Sequence, residues 1–421
     1  MTNWRQPLTR VVLLVLAMAL CERADAQAWS RFRGPNGAGI SPDNLPATWT
    51  EHDWNWRTKL PGIGHSSPVA WGGLIFLESA DPENATRYVL ALDADSGRIV
   101  WTREFTSSKF PIHARSSFAS STPAVDGDRV YAAWASPEET MLVALDHQGQ
   151  TIWERKLGPL ACQHGFGSSP LLFEDMVILN LSQEKAREKD ESAPEPGPSQ
   201  ILAVDRETGA TRWSAPRTSK TMSYSVPCLF THPDGTVDLI GCSTAEGMFA
   251  LDPRTGHPRW SLPVFSMRTV SSPYDAGGLL IGSTGSGGGG NYVVAVRPGP
   301  EPRVEHEFRK QAPYVPTSVA KDGLLFLWMD KGIVTCVRLA DGSQVWQERI
   351  GGNYSGSPII AGDKIYCIDE DGQVVVLAAS ETFQLLGKTS LGEPSRSTPA
   401  VADGRMYLRT YSHLVSIGRR P

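Results

Sequence analysis

Cysteine is scarce in this sequence. The 421 residues include 6 cysteines, and no two of them are adjacent or spaced as Cys-x-x-Cys. Disulfide-rich secreted domains and zinc sites both need more cysteines at closer spacing. We therefore expect a fold that is held together by its hydrophobic core and that has no metal site. For one pair, Cys228 and Cys242, a disulfide and two plain buried thiols stand as alternative interpretations.

An excess of charge of one sign is also lacking. Lys and Arg together number 40, and Asp and Glu number 45, which gives a formal net charge of -5. Nucleic-acid-binding domains normally carry a strongly basic face. The composition therefore predicts no nucleic-acid partner.

Long apolar runs are missing except near the N-terminus. There, Arg5 and Arg10 precede an apolar run over residues 11–20, and a small-x-small cleavage pattern follows at 24–26. This run is too short to cross about 30 Å of hydrocarbon as a helix. We expect residues 1–26 to be a signal peptide and residues 27–421 to form one exported domain, in the periplasm or outside the cell, without a transmembrane segment. Lipidation of Cys21 is the alternative, although Leu20 is poorly suited to that processing.

A β-hairpin that ends on a tryptophan recurs along the chain. Its clearest copy runs from Leu90 to Trp101, with apolar residues at alternate positions and a turn at residues 95–97. Alternation with a period of two is typical of half-buried strands. Further copies end at Trp153, Trp213, Trp260 and Trp346. Self-similarity at this scale predicts a repeat architecture.

A second marker sets the phase of the repeat. It is a Ser/Thr-Pro step before a short apolar strand, and two of the repeats carry it in a weaker form. The eight markers are Ser67-Pro68, Thr122-Pro123, Ser169-Pro170, Val226-Pro227, Ser272-Pro273, Thr317-Ser318, Ser357-Pro358 and Thr398-Pro399. Their spacing of roughly 40 to 57 residues is close to the length of a propeller blade. The sequence predicts an all-β fold, an eight-bladed β-propeller of four-stranded antiparallel blades.

Three repeats depart from this pattern. The fifth places Phe308 where the tryptophan is expected, and the seventh has Leu386 or Gly387 there. The eighth stops after its third strand. Because residues 56–60 align with residues 101–105, we expect an N-terminal strand to close the ring in the last blade and to remove an unpaired edge. The tryptophans to which we assign blade docking are Trp56, Trp101, Trp153, Trp213, Trp260 and Trp346.

The pattern Ala-x-Asp-x-x-Ser/Thr-Gly-x-x-x-Trp, present at 91–101, 203–213 and 250–260, resembles the tryptophan-docking repeat of pyrroloquinoline-quinone (PQQ) type propellers. That superfamily includes quinoprotein alcohol dehydrogenases and non-catalytic BamB-like members. The dehydrogenases use adjacent cysteines beside the quinone and calcium held by Glu, Asn and Asp oxygens. This sequence has no adjacent cysteines and no recognisable ligand set, so we expect no PQQ and no calcium. The resemblance implies a scaffold more than an enzyme.

Residues just before each marker should converge on one mouth of the central channel. The candidates for binding at this rim are His65, His113, Arg115, His164, Tyr224, Arg268, Tyr314, Tyr354 and Arg396. Such side chains suit an anionic or planar ligand or a peptide segment. The alternative is that they bind only water and satisfy backbone groups of the channel wall.

Taken together, these features predict an exported, monomeric, non-catalytic propeller that binds a protein or cell-envelope partner. The alternative is a PQQ-dependent oxidoreductase with a divergent site.

Overall fold

The fold is an eight-bladed β-propeller made of four-stranded antiparallel sheets. The computed structural model describes residues 28–185, 195–218 and 221–420, so the signal peptide and Cys21 fall outside the described residues. Each marker is followed by the first strand of a blade, and the first strands contact one another between blades 8 and 1, 1 and 2, 4 and 5, and 6 and 7. The predicted fold class and blade count are confirmed.

The strands follow the predicted phase. In blades 1 to 4 they are Val69–Trp71, Leu74–Ala80, Arg87–Asp93 and Ile99–Phe105; Ala124–Val125, Arg129–Ala135, Thr140–Asp146 and Thr151–Lys156; Leu171–Phe173, Met176–Leu181, Ser199–Asp205 and Thr211–Arg217; Cys228–Thr231, Val237–Ser243, Gly247–Leu251 and Pro258–Leu262. In blades 5 to 7 they are Tyr274–Asp275, Leu280–Thr284, Tyr292–Arg297 and Arg303–Phe308; Val319–Lys321, Leu324–Trp328, Ile333–Arg338 and Gln344–Arg349; Ile359–Ala361, Lys364–Ile368, Gln373–Ala378 and Leu385–Ser390.

Blade 8 is closed by the N-terminal part of the chain. Its own strands are Ala400–Ala402, Arg405–Arg409 and His413–Gly418, and Trp56–Lys59 pairs antiparallel with the last of these. A further strand, Ile40–Ser41, pairs parallel with the first strand of blade 7. The described helical segments are the two short 3-10 turns Pro35–Gly37 and Glu51–Asp53. The predicted closing strand is therefore confirmed.

The hydrophobic core is divided among the interfaces between blades. The second strands are buried along most of their length, as in Met176–Leu181, because both of their faces pack on neighbouring sheets. The fourth strands alternate between exposed and less exposed residues, as in Thr151–Lys156, because one face is turned to solvent. One core cluster joins Tyr131 of blade 2 to Val177 of blade 3.

The repeat tryptophans dock one blade on the next. The indole Nε1 of Trp213 donates to the Pro253 carbonyl oxygen at 3.1 Å, and a Cβ on Gly256 would lie only 2.5 Å from the ring. The turn glycine is therefore required both by its positive φ and by this close approach. The same donation runs from Trp56 to Ala94, from Trp101 to His147, from Trp153 to Arg206 and from Trp346 to Ser380.

Blades 4 and 5 depart from this docking pattern. Trp260 is half-buried, and its Nε1 donates to Asp238 of its own blade at 3.3 Å. In blade 5 the docking position belongs to His306, which pairs with Ala295 and contacts the Leu339 carbonyl oxygen at 2.8 Å. The prediction that Phe308 takes this place was wrong: His306 lies opposite Ala295 as Trp260 lies opposite Ala250, whereas Phe308 lies further along the strand, opposite Val293.

Blade 7 has Gly387 at the docking position, one of the two residues predicted there. A Cβ on Gly387 would lie 2.2 Å from the Ala47 carbonyl oxygen. The segment leading to the closing strand therefore occupies the space of the missing tryptophan, and Leu45 and Trp49 of this segment are buried. The backbone of residues 45–49 thus seals the interface between blades 7 and 8.

None of the described cysteines, at 162, 228, 242, 336 and 367, forms a disulfide. Cys228 and Cys242 lie on neighbouring strands of blade 4, but Cys228 is directly opposite Ile240 and Cys242 is opposite Met248. The interpretation of plain buried thiols holds for this pair.

Candidate functional site

A funnel-shaped cavity of about 880 Å³ occupies the centre of the ring. Every blade contributes to its wall, through the residues that precede its first strand. One residue of each blade stands three places before the second residue of its marker and lines the cavity. These eight residues are His65, Ser120, Gly167, Tyr224, Val270, Val315, Ser355 and Arg396. The repeat therefore brings one equivalent position from each blade to a single concave surface.

A belt of hydroxyl groups encircles this cavity and explains the Ser/Thr-Pro marker. In seven of the eight blades the backbone N–H at the marker donates to the marker side chain of the next blade. These bonds run from Ser67 to Thr122, Thr122 to Ser169, Val226 to Ser272, Ser272 to Thr317, Thr317 to Ser357, Ser357 to Thr398 and Thr398 to Ser67, at 2.9 to 3.1 Å. The eighth link, from the amide of Ser169, has no hydroxyl to accept it because Val226 stands at that position.

The N-terminal lead-in closes the lower end of the funnel. Phe32 forms part of the cavity surface, and the two neighbouring arginines point into the ring. Arg31 donates to the Pro227 carbonyl oxygen, while Arg33 donates to those of Thr317, Ser318 and Pro358. Burial lowers the pKa of each guanidinium to about 10. Both arginines satisfy backbone carbonyls where the strands begin, so the lead-in is anchored across one end of the channel.

One side of the funnel holds a buried carboxylate, Glu184. Its carboxyl group is 2.6 Å from the Arg268 guanidinium and accepts the Met222 amide at 3.0 Å, and the His164 ring lies 3.7 Å away. Burial opposes ionisation of Glu184, but these neighbours outweigh it and lower its pKa. Glu184 is thus an ionised, fully engaged group behind the cavity surface.

The opposite side carries two further acidic residues, Asp330 of blade 6 and Glu370 of blade 7. Asp330 accepts the backbone amides of Tyr314 and Val315 at 2.7 and 3.2 Å. Burial raises its pKa, while those two amides act in the other direction. The Glu370 carboxylate accepts a hydrogen bond from the Arg396 guanidinium at 3.2 Å and another from the Ser355 hydroxyl at 2.6 Å.

Of the nine predicted rim residues, eight line the cavity and one does not. Tyr354 is fully buried beside Trp328, with ring centroids 5.4 Å apart. Its placement at the rim is corrected, because the chain turns at Gly352 and directs the side chain between blades 6 and 7. His65 lines the wall next to Tyr411, and burial, together with Arg396 and Arg409, lowers its pKa to about 3. It is therefore a neutral imidazole at physiological pH.

The three carboxylates behind the arginines were not predicted. Glu184 stands next to a charged, proline-rich stretch, which is typical of a solvent-exposed loop, and Asp330 and Glu370 stand in ordinary hairpin turns. The one signal for Asp330 and Glu370 is their position. Both stand in the turn between the second and third strands of consecutive blades, and these two turns face the same mouth.

The arrangement does not fit a calcium ion of the quinoprotein kind. Such an ion needs several free oxygen ligands. Over the described residues, no group of three or more His, Cys, Asp and Glu side chains could hold a metal. The Asn291 carbonyl oxygen accepts the Ser286 amide, and Glu184 is taken by Arg268.

The ring, the docking tryptophans and the central funnel define a propeller of the PQQ-like class. Within this class, the family model PQQ_2, described as outer membrane protein assembly factor BamB, matches residues 53–161, 85–301, 303–385 and 330–417. The chain belongs to this family.

Solved structures show the same fold. BamB from Moraxella catarrhalis is 16% identical, with a TM-score of 0.61 over 87% of this chain and 98% of that one. Quinohemoprotein alcohol dehydrogenase from Comamonas testosteroni is 14% identical, with a TM-score of 0.63 over 94% and 82%. The computationally designed Ika8 protein is 11% identical, with a TM-score of 0.60 over 86% and 98%. No curated protein matches the chain.

At these identities the likeness concerns the fold alone, since an assembly factor, an oxidoreductase and a designed protein share it. In the part of the chain that the structure describes, no helix has the length and hydropathy needed to cross a bilayer.

Proposed function

We propose that this protein is an exported, non-catalytic scaffold that binds a protein partner of the cell envelope at the mouth of its funnel. The membership in the BamB family supports an envelope role. The prediction of a signal peptide in residues 1–26 supports export.

The observation that carries this proposal is the state of the carboxylates in the funnel. Glu184, Asp330 and Glu370 each accept two or more hydrogen bonds from the wall. A general base must be within reach of its substrate and free to take a proton. Carboxylates committed in this way orient the arginines in front of them instead, so the surface presents donors for recognition.

The competing function, a PQQ-dependent oxidoreductase, has the fold in its favour but not the residues. The quinone needs a metal ion to polarise it and a base to accept the alcohol proton. The engaged carboxylates supply neither.

The proposal is tested by site-specific photo-crosslinking in the envelope of the native host. A photoreactive residue at Lys331, on the funnel mouth, should crosslink to one envelope protein, and the same residue at the exposed Ile152 on the outer strand of blade 2 should not. Equal crosslinking from both positions would contradict binding at the funnel.

A triple variant identifies the recognition groups. Arg115→Ala, Arg268→Ala and Arg396→Ala together should abolish the Lys331 crosslink. The matched control removes three exposed arginines that are paired on the outer surface, Arg254, Arg297 and Arg338. This control should retain the crosslink, and loss in both triple variants would indicate a general effect of charge or folding.

A further inference from the structure

Arg115 lines the funnel, and its guanidinium makes no hydrogen bond to any residue that the structure describes. The guanidinium is 3.6 Å from the Glu370 carboxylate and 3.9 Å from that of Asp330. Both distances exceed those of hydrogen bonds. The side chain is 34% exposed. Arg115 therefore has opposite charges nearby, but its N–H donors are unused.

Arg396 approaches the same carboxylate as Arg115. The Arg115 Nε atom is 3.6 Å from Oε1 of Glu370, and the Arg396 Nη2 atom donates to Oε2 at 3.2 Å. Both guanidinium groups also line the cavity. Because each guanidinium carries five N–H donors, the two together retain donors for a second carboxylate that enters from the cavity.

The charged groups around the funnel leave one positive charge without a partner. Those that line the cavity are Arg115, Arg268, Lys331, Arg396 and Asp330, and two more carboxylates, Glu184 and Glu370, contact the arginines. Four basic groups thus stand against three acidic groups. Lys331 donates to the neutral Asn353 side chain at 3.3 Å. A ligand with one negative charge balances this excess, whereas a phosphate dianion does not.

The rest of the wall suits a peptide segment more than a free ion. The cavity of about 880 Å³ lies within the range of about 300–1,000 Å³ that is typical of ligand sites. Phe166, Met267, Val270 and Val315 contribute apolar side chains to the wall. A carboxylate bound by the arginines would therefore leave room and apolar surface for the chain that carries it.

We propose that the funnel binds a peptide segment through a single carboxylate, which is held by the guanidinium groups of Arg115 and Arg396. Guanidinium groups match a carboxylate in geometry and form charge-assisted hydrogen bonds with it. That this segment belongs to an envelope protein rests on the proposed function, whereas the carboxylate site is a property of this chain alone.

The first test locates the carboxylate on the wild-type protein. Phenylglyoxal modifies accessible guanidinium groups, and mass spectrometry of the digested protein gives the rate at each arginine. The probe acetyl-Gly-Glu-Gly-amide, which has one carboxylate, should slow the modification of Arg115 and leave that of the exposed Arg254 on the outer surface unchanged. Acetyl-Gly-Gln-Gly-amide should not protect Arg115.

Two further probes define the charge and its source. Acetyl-Gly-Gln-Gly with a free C-terminus carries its carboxylate at the chain end, and protection by this peptide or by the glutamate peptide supports the site and identifies the source. Inorganic phosphate at the same ionic strength should protect less. Absence of protection by both carboxylate peptides, or equal protection by the amidated Gln peptide or by phosphate, would overturn the proposal.

Variants test the roles of the two groups that face each other, with affinity for the more protective peptide measured by calorimetry. Arg115→Gln should lower this affinity by about tenfold or more, since hydrogen bonds to a charged group are lost. Asp330→Asn should raise it about threefold, because it removes a carboxylate that competes for Arg115. Arg254→Gln should match the wild type. A rise in affinity cannot come from misfolding, and unchanged affinity in both Arg115→Gln and Asp330→Asn would contradict the assignment.

The outcomes separate this inference from the proposed function. A Lys331 crosslink without protection by any carboxylate peptide would retain a partner at the funnel and overturn the carboxylate site. Protection by a carboxylate peptide without any crosslinked partner would retain the site and overturn the envelope scaffold.

Discussion

A buried ionisable group without an ion-pair partner in hydrogen-bonding contact is found in blade 1. Glu78 is 2% exposed, and its Oε1 atom has no hydrogen-bond partner within the described residues. Burial raises its pKa from 4.5 to about 8, although the Ala133 amide, Arg87, Ser121 and Arg409 act in the opposite direction. The group is therefore protonated in the folded state at neutral pH.

This raised pKa predicts a dependence of stability on pH. The folded state binds a proton that the unfolded chain releases above pH 4.5, so the contribution is present below pH 4.5 and is lost as pH rises through about 8. Glu78→Gln keeps the shape without the titration. The difference in unfolding free energy between this variant and the wild type should therefore grow by about 2–4 kcal/mol between pH 5 and 8.5. Denaturant titrations at several pH values measure it, and parallel curves would refute a neutral Glu78.

The missing link of the hydroxyl belt gives a second prediction at this scale. Val226→Thr supplies an acceptor to the Ser169 amide and should stabilise the fold by about 0.5–1.5 kcal/mol. Thr317→Val makes the converse change and leaves the Ser272 amide without its 3.0 Å partner. It should destabilise by about 1–3 kcal/mol. Thermal unfolding of both variants is the measurement, and equal signs would contradict the belt.

At the residue scale, the sequence predicted which residues line the cavity better than it predicted which side chains pair with one another. The column before the marker lines the funnel because the same offset recurs in each blade. The partners of its arginines, Glu184 and Glu370, were not predicted because they come from other blades, and only closure of the ring brings them close. The direction of Tyr354 likewise depends on the turn at Gly352.

The elements of the ring differ in how they dock, and the two tryptophans Trp213 and Trp260 allow a direct comparison. Trp213 of blade 3 is 8% exposed, and its Nε1 donates to the Pro253 carbonyl oxygen in a turn of blade 4. Trp213→Ala should cost on the order of 3–5 kcal/mol. Trp260 bonds within its own blade, so Trp260→Ala should cost roughly half as much. Equal losses in urea titrations would show that inter-blade docking is not the distinguishing factor.

The closing strand is the element whose loss should matter most. Deletion of residues 49–60 removes Trp56–Lys59 and leaves the edge of His413–Gly418 unpaired. The variant should aggregate or show a large fall in thermal midpoint, as measured by light scattering and circular dichroism. Arg57→Ala, on the exposed face of the same strand, is the control and should leave both unchanged. An unaltered midpoint after the deletion would show that closure contributes little.

The sequence predicted this strand because its tryptophan aligned with the repeat. It did not predict that residues 45–48 replace the docking residue of blade 7, since no periodic pattern marks a segment that fits a space left by glycine. The same applies to His306, because the turn before it at residues 297–302 lacks the Asp-x-x-Ser/Thr-Gly pattern that aligns the other hairpins.

For the molecule as a whole, the ring provides a rigid frame and the funnel one concave site on it. The lead-in lies across one end of the channel, where Phe32 lines the cavity, and Arg115 lines the cavity from the connection between blades 1 and 2. Function at such a site depends on side chains that vary independently of the frame. The same frame occurs with 14% identity in an alcohol dehydrogenase and with 16% in an assembly factor.

The last prediction separates these two possibilities. Purified protein mixed with PQQ and calcium should show no dye reduction that depends on an alcohol or a sugar. Turnover needs a metal to polarise the quinone and a base to take the substrate proton, whereas Glu184 and Glu370 are held by Arg268 and Arg396. Any PQQ that binds should do so weakly through the arginines, and the triple change Arg115→Ala, Arg268→Ala, Arg396→Ala should remove it in a titration followed by fluorescence quenching. Steady dye reduction that requires both PQQ and substrate, and that is lost in Asp330→Asn, would instead establish an oxidoreductase.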